Sequence, residues 1–255
     1  MKFLAFDTST DSMSLALTDG ARVWAHTGPG GAKSSATLIP AILALLSEAG
    51  ISLAELDAIA FGRGPGSFTG LRTACAVAQG LALGANGGAG LQVLPVDTLL
   101  ALAEEARAAA TAGLAAAPVA SVQLIALLDA RMDEIYAQRL EFDGAAWHAH
   151  DACRLIRLEE LPAYVAEGPP DAVLAGNVFG LCASRLPPAW MASARLVEAL
   201  PTASAILRLA PALAAAGHCV DAALALPLYV RDKVAFTTEE RAQIREQKAR
   251  AALAL

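Results

Sequence analysis

Short apolar runs and longer apolar segments with helical spacing alternate along this chain, and turn residues separate them. Runs of five or six alternating or continuous apolar residues between polar turns are typical of strands. Longer periodic segments that a glycine ends are typical of helices. The first half therefore predicts three strands, then helix, strand, helix, strand and helix, at residues 2–6, 13–18, 21–26, 35–49, 57–61, 69–84, 91–94 and 96–109.

The second half repeats this order and predicts a duplicated α/β fold of two lobes. Its elements are predicted at residues 121–129, 133–141, 145–150, 158–166, 172–175 and 177–185. A further helix at 202–216 is predicted to pack back on the first lobe. The boundaries follow as 1–106 for the first lobe and 107–232 for the second, with a low-complexity join at 108–118 and a charged helical tail at 233–255.

The apolar composition indicates a sizeable core rather than a membrane protein. Hydrophobic residues make up 56% of the chain and the mean hydropathy is +0.48. The two longest uncharged runs, 73–96 and 108–128, contain glycine, proline and polar residues, so neither is a clean membrane span. The apolar N-terminal run is too short for a signal peptide and Asp7 interrupts it. We therefore expect a cytoplasmic protein.

Charge, cysteines and histidines narrow the functional classes. The net charge of −6 argues against tight direct binding of nucleic acid, which depends on neutralising phosphates. The four cysteines are scattered and have no metal-site spacing. His148 and His150 fall on one face of a predicted strand and are interpreted as a solvated pair. We expect no metal site.

The most informative segment is a glycine-rich string between a strand and a helix, Gly62-Arg63-Gly64-Pro65-Gly66-Ser67-Phe68-Thr69-Gly70-Leu71-Arg72. It lacks the Gly-Lys-Ser/Thr of a phosphate-binding P-loop and the third glycine of a dinucleotide fingerprint. One interpretation is a tight turn with Ser67 or Thr69 as the helix N-cap. The other is a loop whose bare backbone and helix N-terminus accept an anion.

The two helices that flank this string leave almost no polar face. A helix on a sheet normally shows water a polar stripe, so a second apolar surface should cover these two. That surface is either the other lobe or another subunit, and we favour a subunit. A charge such as Val77→Glu would then prevent pairing without unfolding the chain. The predicted interface residues are Leu38, Ile39, Ile42, Leu45, Leu46, Leu71, Ala74, Cys75, Ala78 and Leu81.

The whole string resembles the GPGSFTGLR segment of TsaB (YeaZ-like) proteins, and other segments fit the same family in order. The opening hairpin, the first helix and the segment after the glycine string do so. Two later segments resemble the family's second-lobe hairpin and its C-terminal motif. These matching segments are Phe6 to Thr10 with Ser14 to Leu17, Leu38 to Pro40, Leu94 to Leu99, Asp129 to Tyr136 and Pro227 to Arg231.

The resemblance implies a two-lobed fold of the actin-like superfamily, which includes hexokinase and Hsp70-type proteins. It implies a non-catalytic scaffold that activates TsaD, the subunit that transfers threonylcarbamoyl to N6 of adenosine beside the tRNA anticodon. The small ATPase TsaE would join them, the chain alone would form a homodimer through the same helices, and tRNA would be met only indirectly. No cofactor is implied for the isolated chain, and ATP or ADP is left to the complex.

The resemblance also assigns candidate residues. The TsaD-type paralogue carries an H-x-x-x-H metal motif where this chain has Thr98 and Leu102, which removes the metal and argues against a metallopeptidase. An active ATP-dependent phosphotransferase of the same superfamily remains the alternative, and it would need a second phosphate-binding turn at 129–131 or 176–177. Asp7 is either a metal-positioning carboxylate or the end of a simple hairpin turn. The nucleotide-loop candidates in the predicted cleft are Asp7, Thr8, Ser9, Gly64, Gly66, Ser67 and Arg72, with Arg63 as a further cation.

Overall fold

A computed structural model describes residues 1–85, 90–111, 121–182 and 185–231, and within them the strands form two sheets of matching design. The first sheet has the order β3-β2-β1-β4-β5. The second has the order β8-β7-β6-β10-β11, with β9 also paired to β7. The strands are β1 (Phe3–Asp7), β2 (Ser12–Thr18), β3 (Val23–Pro29), β4 (Ala58–Gly64), β5 (Val93–Asp97), β6 (Val122–Arg131), β7 (Glu134–Phe142), β8 (Trp147–Ala149), β9 (Arg154–Arg157), β10 (Val173–Gly176) and β11 (Arg195–Glu198).

Strand directions repeat between the sheets as well as strand order. β1 is antiparallel to β2 and parallel to β4, just as β6 is antiparallel to β7 and parallel to β10. β4 and β5 are parallel, as are β10 and β11. The predicted two-lobed, duplicated actin-like α/β fold is therefore confirmed.

Helices cover both faces of the first sheet. The α-helices of the described residues, over both lobes, are α1 (Ser34–Ala49), α2 (Phe68–Gly84), α3 (Thr98–Thr111), α4 (Leu161–Ala166), α5 (Val178–Cys182), α6 (Pro188–Ser193) and α7 (Ala203–Ala215). α1 and α2 pack on one face through a core that includes Phe6 and Phe61. α7 packs on the other face, against β1, β2 and β4, so the C-terminal half returns a helix to the first lobe.

α3 lies between the lobes and contacts both sheets. Ala101 packs with α7 and the first sheet, whereas Leu99, Leu102 and Ala103 pack on the second sheet. The other face of the second sheet carries α4, α5 and α6. Because one helix serves two cores, the lobes share buried apolar surface rather than meeting through a bare linker.

A buried carboxylate ties this central helix to its neighbours. Glu104 on α3 accepts two hydrogen bonds of 2.8 Å from Arg107, one of 2.9 Å from Arg208 on α7 and one of 3.0 Å from the Trp147 indole on β8. Burial opposes ionisation, but these donors together hold the pKa of Glu104 below its ordinary value. The cluster therefore joins α3, α7 and the second sheet at one charged point.

Most predicted elements lie within one or two residues of the observed ones, and the differences have local causes. The third helix begins at Thr98 rather than at residue 96, because Val96 continues β5 by pairing with Gly62 on β4. The sequence pattern missed β9, α6 and β11, which are only four to six residues long. The N-cap of α1 is Lys33, which makes no capping bond through its side chain.

The structure also bears on two predictions about membranes and termini. No helix among the described residues is long and apolar enough to cross a bilayer. Most of the predicted join at 108–118 and the whole tail after residue 231 lie outside the described residues. Their predicted roles stay predictions.

Candidate functional site

A cavity of about 320 Å³ opens between the lobes where β1 and β4 of one sheet and β6 and β10 of the other end. The first lobe contributes the opening hairpin and the start of α2. The second lobe contributes the β6–β7 hairpin and the turn after β10, and Arg231 closes one side. The lining residues are Ser9, Thr10, Asp11, Gly66, Ser67, Phe68, Thr69, Leu128, Asp129, Ala130, Arg131, Met132, Tyr136, Asn177 and Arg231.

The glycines at the ends of the glycine-rich string are already in contact with the opening hairpin. A Cβ placed on Gly62 would lie 1.8 Å from Oδ2 of Asp7. A Cβ on Gly70 would lie 1.8 Å from the carbonyl oxygen of Thr8, whose own hydroxyl donates to the Gly70 carbonyl at 2.7 Å. Real side chains do not reach such separations, so only glycine fits at either position.

The two middle glycines are approached by other parts of the chain. A Cβ on Gly64 would lie 2.5 Å from the carbonyl oxygen of Leu228, and Gly64 also has a φ of +124°, which disfavours other residues. A Cβ on Gly66 would lie 2.6 Å from the Ser9 carbonyl oxygen, which accepts a bond from the Ser67 amide. The string is therefore glycine-rich because the protein's own backbone packs against it.

Asp7 closes the opening hairpin and does not reach the cavity. It is fully buried, and its Oδ1 accepts from the Ser9 amide at 2.9 Å and the Ser9 hydroxyl at 2.6 Å. Its Oδ2 faces Gly62 and has no hydrogen-bond partner. Burial raises the pKa of Asp7 to about 6, although the two bonds from Ser9 oppose this. The geometry fits the hairpin-turn interpretation, not a carboxylate open to a metal-bound water.

The nucleotide-loop candidates separate into two groups. Ser9, Gly66 and Ser67 line the cavity. Ser67 is also the N-cap of α2, and its hydroxyl accepts from the Gly70 amide at 3.4 Å. The other four candidates, Asp7, Thr8, Gly64 and Arg72, are not among the residues that line this cavity, and their role at a nucleotide stays a prediction.

Neither arginine of the string points into the cleft. Arg63 pairs with Asp97 and lines a different cavity, of about 440 Å³, whose walls include residues of β5, β7 and β8. Arg72 lies over the Phe68 ring, with its guanidinium carbon 3.9 Å from the ring centre, and donates to the Tyr229 hydroxyl at 3.1 Å. Both arginines therefore hold neighbouring parts of the protein.

The cations that do line the cleft are also paired. Arg131 makes a two-pronged ion pair with Asp11 across the cleft, at 2.7 and 2.8 Å. Arg231 pairs with Glu134. A bound phosphate would have to compete with these carboxylates for both arginines.

The two turns proposed for a second phosphate-binding site do meet in the cavity. Asn177 follows β10, and its side-chain oxygen accepts from the Asp129 amide at 2.9 Å. A Cβ on Gly176 would lie 1.7 Å from the Leu127 carbonyl oxygen, so this turn is packed tightly against β6. The second lobe thus places both turns where a second phosphate-binding site would be needed, but the Asp129 amide and the Asn177 side-chain oxygen already bond to each other.

Most of the predicted interface residues face the core of the first lobe. Leu81 is half-buried, and of the ten only Ile39 is clearly exposed, whereas the rest are buried. These residues are apolar because they lie on the side of each helix that faces the sheet. Periodicity alone does not distinguish that side from the outer side when both sides are apolar. The buried set is Leu38, Ile42, Leu45, Leu46, Leu71, Ala74, Cys75 and Ala78.

The outer face of α1 and α2 is nevertheless apolar. Ile39 and Leu43 on α1 are 43% and 52% exposed, and Leu83 on α2 is 60% exposed. We call this outer face the docking face. Pro40, Ala44, Ala76 and Gly80 are also exposed on this face, and the exposed polar residues of the two helices include Thr37, Ser47, Glu48 and Arg72. The described part of the second lobe does not cover this face, which argues against one of the two explanations that the sequence left open.

The remaining candidates from the sequence are metal-ligating side chains and the pair of histidines. No cluster of histidine, cysteine, aspartate and glutamate among the described residues could hold a metal ion. Thr98 and Leu102 are buried on α3 between the lobes. His148 and His150 are exposed and pair with Asp143 and Glu141.

Comparison with known proteins gives a consistent result. A family model described as "TsaD: tRNA N6-adenosine threonylcarbamoyltransferase" matches residues 26–254. The tRNA threonylcarbamoyladenosine biosynthesis protein TsaB of Escherichia coli K12 is 31% identical over 92% of this chain and 97% of its own length. TsaB of Haemophilus influenzae is 30% identical over 92% and 95%.

Solved structures agree with the sequence relatives. YeaZ from Pseudomonas aeruginosa superposes with a TM-score of 0.68 at 33% identity, over 89% of this chain and 99% of that one. A second structure, described as a protein with similarity to peptidase YeaZ from the same organism, gives a TM-score of 0.71 at 34% identity, over 90% and 99%.

Proposed function

This chain belongs to the TsaB (YeaZ) family, and on that premise we propose that it acts in the biosynthesis of threonylcarbamoyladenosine on tRNA as a non-catalytic partner of a TsaD-type subunit. The partner would carry out the transfer to N6 of adenosine and would hold the tRNA. The acidic net charge of −6 fits an indirect relation to tRNA. A role in tRNA modification also favours the cytoplasm.

The docking face is the observation that carries this proposal. Two neighbouring helices present exposed leucine and isoleucine beside small residues. Apolar patches of this kind mark interaction sites in soluble proteins, and small residues let a partner helix approach closely. We propose that a TsaD-type subunit packs its own helices here and that a second copy of this chain takes its place when the partner is absent.

The cleft supports the non-catalytic part of the proposal. Other parts of the chain occupy the space beside the glycines of the string, where a phosphate could otherwise have approached the backbone. Both arginines that line the cleft are paired with carboxylates. Asp7, the carboxylate best placed by sequence to position a metal, is sealed beneath Gly62. ATP or ADP would then bind to the assembled complex, which would also include a TsaE-type ATPase.

Gly80→Arg tests the docking face without disturbing the monomer. A Cβ on Gly80 meets no atom within 4 Å, so the new side chain extends into solvent from the middle of α2. Ala212→Arg on the exposed side of α7 is the matched control. Val77→Glu is less suitable, because Val77 packs partly against the core and a charge there would also test folding.

The measurement is light scattering after size exclusion, on each variant alone and mixed with the TsaD-type subunit of the same organism. We expect wild type and Ala212→Arg to form the one-to-one complex and Gly80→Arg to remain a folded monomer in both conditions. A Gly80→Arg variant that still forms the complex would place the interface elsewhere. A wild-type chain that ignores the partner would refute the proposed pairing.

The alternative of an active ATP-dependent phosphotransferase keeps one observation in its favour, since the turns of both lobes meet at one cavity. It predicts ATP turnover by the isolated chain with Mg²⁺. The proposal made here predicts turnover no higher than that of a boiled sample, measured as released phosphate.

A further inference from the structure

The last described segment of the chain, residues 220–231, runs along the first lobe as a strap. It begins with Val220, which exchanges backbone hydrogen bonds of 2.8 and 2.9 Å with Val93 on β5. Further on, the Leu228 amide donates to the Arg63 carbonyl at 2.7 Å, and the Leu228 carbonyl packs against Gly64. The strap is therefore attached to the first residue of β5 and to the carboxyl end of β4.

The strap is also bound to one side of α2. The Ala225 carbonyl accepts from the Cys75 thiol at 3.2 Å and from the Gln79 amide at 2.9 Å. Tyr229 accepts from Arg72 and packs on Phe68 with ring centres 5.1 Å apart. These α2 residues are spaced three and four apart, so they form one stripe along the helix.

The end of the strap crosses to the second lobe. Val230 packs with the apolar cluster of the second sheet. The Arg231 side chain is only 11% exposed, and its Nη2 donates to the carbonyl oxygens of Ala130 and Arg131, at 2.9 and 3.2 Å, and to Glu134. One arginine thus collects three acceptors at the tip of the β6–β7 hairpin, which is one wall of the cleft.

That hairpin tip has a backbone conformation that needs external support. Arg131, Met132 and Asp133 have φ values of +60°, +56° and +64°, in the left-handed region that residues with a Cβ disfavour. Residues with a Cβ rarely adopt this conformation in succession, and runs of them persist only where surrounding contacts fix them. Arg231 supports the tip from inside, and Asp11 of the first lobe supports it through Arg131.

The same strap exposes apolar side chains beside α2. Leu224 and Leu226 are 66% and 67% exposed and flank the buried Ala225 that α2 holds. They extend the docking face beyond the two helices. One short segment therefore contributes to the docking face at one end and to the cleft wall at the other.

We propose that the strap couples occupancy of the docking face to closure of the interlobe cleft, with Arg231 as the clasp on the second lobe. The occupant is the helical TsaD-type partner, so this identity rests on the proposed function, whereas the coupling itself is a property of the free chain. A partner that covers Leu224 and Leu226 holds the strap on α2, and Arg231 then keeps the β6–β7 hairpin against the first lobe.

Hydrogen exchange measured by mass spectrometry on the full chain tests the clasp. Arg231→Ala is expected to speed exchange in residues 129–136 about tenfold, because several hydrogen bonds to a strained tip are lost. Arg185→Ala is the control, since Arg185 pairs with Asp133 at the same tip but belongs to the second lobe. It should not change exchange in the strap. Arg231→Lys, which keeps the charge, should fall between wild type and Arg231→Ala. Unchanged exchange at 129–136 in a folded Arg231→Ala variant would overturn the clasp.

A double-mutant cycle in the free chain tests the coupling. Gln79→Ala loosens the strap on α2 and should speed exchange in the hairpin of the other lobe by several-fold, but only while Arg231 is present. Additive effects of Gln79→Ala and Arg231→Ala would overturn the coupling. In a second arm, the partner should slow hairpin exchange in wild type and not in Arg231→Ala. If no partner binds, the proposed function fails and the cycle still decides the coupling.

Discussion

The buried carboxyl group of Asp7 makes the pH dependence of stability a direct test of the cleft geometry. Its pKa is about 6 in the folded protein against an ordinary value of 3.8. One pKa unit corresponds to about 1.4 kcal/mol, so the shift corresponds to about 3 kcal/mol of folding free energy. The cause is burial without a partner for Oδ2.

The sign follows from proton binding. Between pH 3.8 and about pH 6 the folded state holds the Asp7 proton more tightly than the unfolded state does. The free energy of unfolding therefore contains the full contribution below the unfolded pKa and loses it as the pH rises through the folded pKa. Above about pH 6 the charged, buried carboxylate lowers stability by the whole amount.

Asp7→Asn isolates this effect, because the amide does not titrate and its oxygen still accepts from Ser9. Urea denaturation of both proteins from about pH 4 to about pH 7.5 gives the difference in unfolding free energy. We expect that difference in unfolding free energy to move in favour of Asp7→Asn by roughly 2 kcal/mol over this range. Any cost of the unpartnered amide nitrogen is the same at each pH, so it cancels.

Two outcomes would refute the reasoning. Parallel stability curves for wild type and Asp7→Asn would mean that Asp7 is already solvated or paired with a cation. A gain in wild-type stability on adding Mg²⁺ that Asp7→Asn lacks would restore the metal-positioning role. Asp171→Asn, at an exposed position, serves as the control for removing one carboxylate.

Three further predictions concern stability and share the same urea assay at neutral pH. Gly70→Ala should lower the free energy of unfolding by more than about 2 kcal/mol, because the new methyl group would overlap a backbone carbonyl. Gly80→Ala, which has open space around it, should raise the free energy of unfolding by about 0.5–1 kcal/mol. Equal effects of the two substitutions would contradict the packing explanation of the glycine string. At the hairpin tip, where Met132 has a positive φ, Met132→Gly should be at least as stable as wild type. Met132→Val should lower the free energy of unfolding by about 1 kcal/mol or more. The reverse order of stability would contradict backbone strain at this tip. Glu104→Gln should lower the free energy of unfolding by about 3 kcal/mol, because it removes the buried carboxylate to which two arginines and the Trp147 indole donate. Glu105→Gln, at the more exposed neighbouring carboxylate, should lower it much less.

Apolar patterning was enough to predict the duplicated fold. The strand at residues 57–61 and the helix at 69–84 were placed within a few residues, because alternation and helical periodicity report directly on which faces are buried. Short elements with mixed polarity, such as β11, carried no such signal. Which residues of α1 and α2 face outward was also not predictable, because both sides of each helix are apolar.

Local periodicity and backbone freedom are enough to predict the elements, their order and the position of the glycine string. The role of the glycines becomes visible only in the folded protein. Asp7, Thr8, Ser9 and Leu228 come from parts of the chain far from the string, and their approach fills the space that a phosphate would need. The same is true of the strap, whose contacts join residues about a hundred or more positions apart. Contacts of that range are set by packing and not by any pattern in the local sequence.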